Sequence, residues 1–200
     1  FIGSSGSPNS KLMRNDNGNF TNVTVGSGFD TFTGTTIEWT CHDFNNDGYV
    51  DILGAGAMLM NNGDMTFTPN MDVPGNGPIG DLNNDGFLDI VGGGTVYMNS
   101  GNTNKYLTVN LIGTVSNING IGARVEVSSP SFTQIRDVKS GDGFRYMSSL
   151  NAHFGLGTDA EINQVTVFWP SGIVDVIENV TVNSTLMVTE GSFSTGVLTT

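Results

Sequence analysis

Residues 41–54 read CHDFNNDGYVDILG, and residues 79–92 read IGDLNNDGFLDIVG. Cys41 and Ile79 open the two copies 38 residues apart, and each copy contains the pattern D-x-N-x-D-G-x-x-D. A second element repeats beside them, LMRNDNGNFTNVTV at 12–25 and LMNNGDMTFTPNM at 59–71, and VYMNSGN at 96–102 begins a third copy. Each unit is a polar turn, a short strand, a linker, an acidic loop and another strand. Val50, Ile52, Leu53 and Leu88, Ile90, Val91 supply the apolar runs after the loops.

The loops have the chemistry of a hard-cation site. Calcium takes six to eight oxygens at about 2.3–2.6 Å. The first loop offers the side chains of Asp43, Asn45, Asp47 and Asp51 and the carbonyl of Tyr49; the second offers Asp81, Asn83, Asp85 and Asp89 and the carbonyl of Phe87. Gly48 and Gly86 permit the tight turn such a site needs. Three carboxylates within nine residues repel one another unless a cation neutralises them. The expectation is two Ca2+ sites with a structural role, each clamping a loop between two strands. The pattern shares the first half of an EF-hand loop but lacks its Glu at position 12, where Gly54 and Gly92 stand. Magnesium prefers octahedral, water-rich sites, and zinc needs paired His or Cys.

Composition agrees with an all-β chain. Charged residues are 13%, and polarity comes instead from Asn, Thr, Ser and 28 Gly, which favour turns over helices. The net charge of −12 excludes nucleic acid and anionic membranes as partners. Residues 1–103 carry eleven acids against Lys11 and Arg14, and six of those acids lie in the two loops. Cys41 is the only cysteine, so no intrachain disulfide is available and metal is the alternative staple. No run of 18 apolar residues exists to insert in a membrane. The chain starts at Phe1, consistent with a removed targeting segment or with a fragment.

From Lys105 onward apolar and polar residues alternate. Leu107, Val109 and Leu111 share one strand face, Val125 and Val127 another, and Val165, Val167 and Trp169 a third; strands over 173–180 and 182–188 follow. About six strands are enough for a small sandwich or barrel. The expected organisation is calcium-loop repeats over 1–103, a β domain over 104–190 and a Ser/Thr/Gly-rich tail over 191–200.

The repeats resemble FG-GAP or VCBS-type repeats, the calcium-loop blades of integrin-like β-propellers. Residues 104–190 resemble the ASPIC/UnbV domain of the cartilage acidic protein family through NGIGARVEV (119–127), QIRDVKSGDGF (134–144), HFGLG (153–157), VFWPSG (167–172) and ENVTVNSTLMVTE (178–190). The resemblance implies an extracellular, secreted, calcium-binding protein with an interaction role and no catalytic residues. A propeller closes with four to eight blades. This chain holds two full repeats and part of a third, so it is a fragment or its repeats pack another way.

Other motifs are weaker. GNGPIG (75–80) matches G-x-G-x-x-G, but an acidic loop follows where a dinucleotide site needs a helix. Cys41 and His42 are strand neighbours on opposite faces, which excludes a dyad between them, and Cys41 is expected to be a small buried residue. His153, between turn glycines, is expected to be a hydrogen-bonded structural histidine. Arg124, Arg136 and Arg145 are expected to pair with Glu126, Asp137 and Asp142 on strand surfaces. Sequons at Asn19, Asn22, Asn179 and Asn183 fit a secreted glycoprotein. The leading functional expectation is a calcium-stabilised structural or adhesion module that is not an enzyme. Its open sheet edges invite a protein partner, or self-association into a homo-oligomeric fibre by strand exchange. The alternative is a carbohydrate-binding accessory module, with Trp39 and Trp169 as the platform for a glycan.

Overall fold

The computed structural model describes residues 1–3, 5–6, 10–73 and 76–197. Gly75 of the GNGPIG motif and Leu198 of the tail lie outside them. Among the described residues there are seventeen strands and no helix.

The N-terminal half forms three sheets. In the first, β1 (Met13–Asp16) and β2 (Asn19–Asn22) form a hairpin. Its two-residue turn is Asn17-Gly18, at φ 53° and 92°, the conformation such a turn requires. The next sheet is β3 (Trp39–His42), β4 (Asp51–Gly54), β5 (Ala57–Asn61) and β6 (Phe67–Asn70), antiparallel in that order. The third is β7 (Ile79–Gly80), β8 (Asp89–Gly92) and β9 (Thr95–Tyr97), with three strands. The two acidic loops are therefore the β3–β4 and β7–β8 connections. Strand β4 is buried at all four residues, which explains its continuous apolar run. Ile52 packs with Leu12, Phe29, Phe32 and Phe67 on one side. Leu53 packs with Phe44, Ile79, Leu88 and Ile90 on the other, joining the two repeats.

The C-terminal half contains β10 (Lys105–Ile112), β11 (Arg124–Ser128), β12 (Thr133–Asp137), β13 (Ala152–Gly157), β14 (Gln164–Phe168), β15 (Ile173–Ile177), β16 (Ser184–Thr189) and β17 (Ser194–Val197). They form a three-stranded sheet, β13-β10-β16, and a five-stranded sheet, β12-β11-β14-β15-β17. One core draws on both: Leu107, Val109, Phe154 and Val188 from the first, Val125, Val127, Val165 and Val167 from the second. No sheet closes into a barrel. Within the tail, Ser194–Val197 pairs with β15. HFGLG is not a turn. It lies in β13, whose six residues are all buried.

Segment 139–149, between β12 and β13, ties the two halves together. Asp142 binds His42 at 2.5 Å, and Arg145 lies 3.4 Å from the buried Glu38. Ser149 N–H donates to Ile79 O at 2.8 Å, and Ile79 N–H to Ser148 Oγ at 3.2 Å. This strap therefore reaches β3 and β7, the first edge strands of both repeat sheets. The other arginines depart from the expected pairing. Arg124 pairs with Asp137 at 2.9 Å, whereas Arg136 is not ion-paired with any described carboxylate and donates to Gln134 Oε1 and Ile135 O.

Buried carboxylates fasten the end of the chain. Asp175 accepts from Trp169 Nε1 (2.7 Å) and from the N–H groups of Gly191 (2.9 Å) and Phe193 (2.8 Å). Glu190 accepts the consecutive N–H groups of Thr114, Val115 and Ser116 at 2.7–2.8 Å and the hydroxyls of Ser116 and Ser171. Burial pushes the Glu190 carboxyl up, but the Ser171 hydroxyl and the Thr114–Ser116 donors outweigh this and hold it at about 2. A depressed carboxyl stabilises the fold above its unfolded pKa, and that contribution fades as pH falls toward the folded value. Glu190→Gln should cost about 2–3 kcal/mol at pH 7, shrinking as pH drops from about 4.5 to about 2, as measured by urea denaturation across that range.

Candidate functional site

The two acidic loops carry the same hydrogen bonds, residue for residue. Asp43 accepts from the N–H groups of Asp47 (3.1 Å) and Gly48 (2.8 Å). Asp81 accepts from those of Asp85 (3.1 Å) and Gly86 (2.8 Å). Asn45 and Asn83 accept from the same Asp47 and Asp85 N–H groups at 3.1 Å, and their amides donate to the Asp47 and Asp85 carboxylates. Asp47 and Asp85 accept from Tyr49 and Phe87 N–H at 2.8 and 2.9 Å. Both loops pass through positive φ at Asn46-Gly48 and Asn84-Gly86 (57° and 91°, 60° and 86°), so the glycines meet a backbone requirement.

Asp51 and Asp89 sit at the base of each loop, 0% and 1% exposed. Asp51 takes Phe44 N–H (3.0 Å) and Asn61 N–H (2.8 Å); Asp89 takes Leu82 N–H (2.8 Å) and Asn99 N–H (2.8 Å). Asp51 thus joins the start of its loop to the end of β5, and Asp89 joins its own to the segment just after β9. Asn61 and Asn99 return the bond to Val50 O and Leu88 O and turn the chain into Gly63 and Gly101. These asparagines belong to the site, and the expected ligand set omits them. The repeated M-N-x-G at 60–63 and 98–101 is the signal that could have found them.

The loops differ in their surroundings. Asp43 and Asn46 are 1% and 0% exposed, whereas Asn84 and Asp85 are exposed. The first loop packs into the C-terminal half. Asn46 accepts from His153 Nε2 (2.7 Å), donates to Gly86 O (2.8 Å), and its carbonyl takes Gly157 N–H (2.8 Å). Asn102 and Asn104 both donate to Asn45 O, and Asn99 to Phe44 O. A Cβ on Gly155 would lie 2.1 Å from Asp43 Oδ2 and 2.5 Å from Asn46 Cα. Gly155 is therefore there for close approach, whereas Gly157 meets a backbone requirement at φ 57°. Burial lowers His153 to about 3, helped by Arg136 and His42. The ring is neutral, and with Asn46 Oδ1 facing it, Nε2 carries the proton.

Burial pushes Asp43 up to about 7, opposed by the Gly48 N–H and reinforced by Asp47 and Asp51. Burial likewise raises Asp51 to about 7 against its two N–H donors. The loops offer only carboxylate, amide and carbonyl oxygens, which suits a hard cation. An ionised carboxylate has about four acceptor positions, so the bonds to N–H groups leave lone pairs on these aspartates. Among the described residues no group of three or more His, Cys, Asp or Glu side chains forms a ready metal cluster.

A cavity of about 300 Å³ lies beside the first loop, lined in part by Cys41, His42, Asp43, Arg136, Asp142 and His153. Ser148 Oγ donates to Asp142 at 2.9 Å, and His42 bonds to the same carboxylate. Cys41 is exposed rather than buried, because β3 is an edge strand. The four sequon asparagines are all exposed. Asn183 Oδ1 accepts from Tyr106 N–H and Asn22 Oδ1 from Thr24 N–H.

Residues 113–195 match the family model described as ASPIC and UnbV. That stretch holds strands β11 to β16 together with Asp175 and Glu190. No curated protein matches the chain. The likeness of residues 1–103 to FG-GAP or VCBS-type repeats rests on the loop sequences.

Asn46 and Asn84 occupy the same place in the two loops at the same backbone conformation. Asn46→Ala should cost about 2 kcal/mol more than Asn84→Ala, because only Asn46 has buried bonds to lose. Equal losses in paired urea titrations would show that the first loop does not hold the two halves together.

Proposed function

We propose that this chain is an extracellular, calcium-stabilised structural or adhesion module that self-associates through strand edges into a fibre. Its N-terminal half is read as partial β-propeller-like repeats and its C-terminal half as a small β-sandwich. The observation that carries the reading is the equivalence of the two loops. Asp43, Asn45, Asp47, Tyr49 and Asp51, and Asp81, Asn83, Asp85, Phe87 and Asp89, repeat one arrangement of oxygen donors on one backbone path. A turn without a ligand needs no such duplicate. Calcium would neutralise the carboxylates that burial and mutual repulsion disfavour in the first loop. The strap over β3 and β7 supports a structural role, since it lets two repeats stand without a closed ring.

The carbohydrate-binding alternative has less support. Trp169 is 4% exposed and its Nε1 is bonded to Asp175. Trp39 packs edge-on against Phe1 and Phe32. Neither presents a flat face for a sugar.

Calorimetric titration with calcium should find two sites. A site held at a hundredfold excess over its Kd adds about 2.7 kcal/mol, so chelation of both should lower Tm by roughly 10–20 °C. No heat on titration and no change in Tm with chelator would end the calcium reading.

A further inference from the structure

The two repeats end differently. The first has four strands, β3 to β6; the second stops at β9. At the 38-residue offset, β6 corresponds to residues 105–108. These open β10, which pairs with β13 and β16 instead. Lys105 stands where the first repeat has the buried Phe67. Among the described residues the second repeat has no fourth strand, and β9 pairs with β8 alone.

The free edge is ready to pair. Val91 N–H points toward β7, donating to Pro78 O at 3.0 Å. Val96, directly opposite Val91, therefore turns its own N–H and C=O to the outer edge. Val96, Tyr97 and Met98 are 52%, 41% and 49% exposed. A groove of about 460 Å³ adjoins the edge, lined by Met58, Met60, Val73 and Ile90 among others. Natural edge strands are guarded by charge, proline or cover. In the first repeat β6 carries Pro69 and β3 lies under the strap. Among the described residues Thr95-Val96-Tyr97 has no such guard.

The chain also carries a spare fourth strand. Phe20-Thr21 repeats Phe67-Thr68, just as Leu12-Met13 repeats Leu59-Met60. Strand β2 is exposed at all four residues, has no charge, and pairs only with β1. Val23 N–H bonds to Leu12 O. By alternation from that pair, Phe20 and Asn22 turn their main-chain groups to the open side of β2.

We infer that β9 accepts β2 of a second copy, antiparallel, as the missing fourth strand. This rests on the self-association reading and gives it an address. Donor and acceptor are different surfaces, so each added copy leaves one of each exposed and the assembly grows head to tail.

The test uses the full chain in calcium, with sedimentation velocity and negative-stain microscopy. Wild type should form species whose mass rises with concentration. Val96→Pro removes only an outward N–H and should stay monomeric with an unchanged Tm; Val96→Lys, which keeps the N–H and adds a charge, should do the same. Phe20→Pro, blocking the donor edge, should also be monomeric. Mixing Val96→Pro with Phe20→Pro should give a heterodimer and nothing larger, because one donor and one acceptor remain. A wild type that stays monomeric at all concentrations would defeat self-association itself. A wild type that assembles while both Val96 variants assemble equally, or a mixture that yields no heterodimer, would defeat this pairing alone.

Discussion

Asp51 and Asp89 each take two main-chain N–H groups from different parts of their repeat and hold them on one buried carboxylate. The same device recurs at Asp43, Asp175 and Glu190. Hydrogen bonds to an ionised acceptor are roughly twice as strong as neutral ones, and loop N–H groups buried without a partner are costly. This chain has few charged side chains, one cysteine and no helix among the described residues. Its long connections are fixed by carboxylates that stand in for the strands they lack. Remove the acceptor, and the β3–β4 and β7–β8 connections lose the bonds that tie their bases to the strands.

That dependence links the two halves. The first loop is bound at its base by Asp51 and at its tip by His153 through Asn46. It is both a repeat element and the seat of the C-terminal half. The second loop has the same internal bonds but an exposed tip. With the strap closing β3 and β7, a pair of repeats and one β domain form a common structure. Where the first repeat continues into β6, the second runs into β10, which pairs with β13 and β16.

Much of this was visible in the sequence. The nine-residue loop pattern is local, so its letters specify its bonds, and the alternation at 107–111 and 165–169 specifies strand faces. What was not visible depends on distant neighbours. Asn46 and Asn84 are the same letter in the same motif, yet one is buried because His153 lies 107 positions away. Gly155 looks like a turn signal but serves to admit Asp43 and Asn46. Glu190 and Asp175 belong to no motif, and only the folded chain brings their donors to them. Cys41 alternates correctly within β3, but nothing local reveals that β3 lies at an edge.

Amide hydrogen exchange by NMR, in chelator, tests directly whether carboxylates hold the loops. The N–H groups of Phe44, Gly48, Asn61, Leu82, Gly86 and Asn99 have carboxylate acceptors and no strand partner for that bond. They should exchange at least about 100-fold more slowly than in an unstructured chain. Unprotected exchange at these amides, with β4 and β8 still protected, would contradict the account.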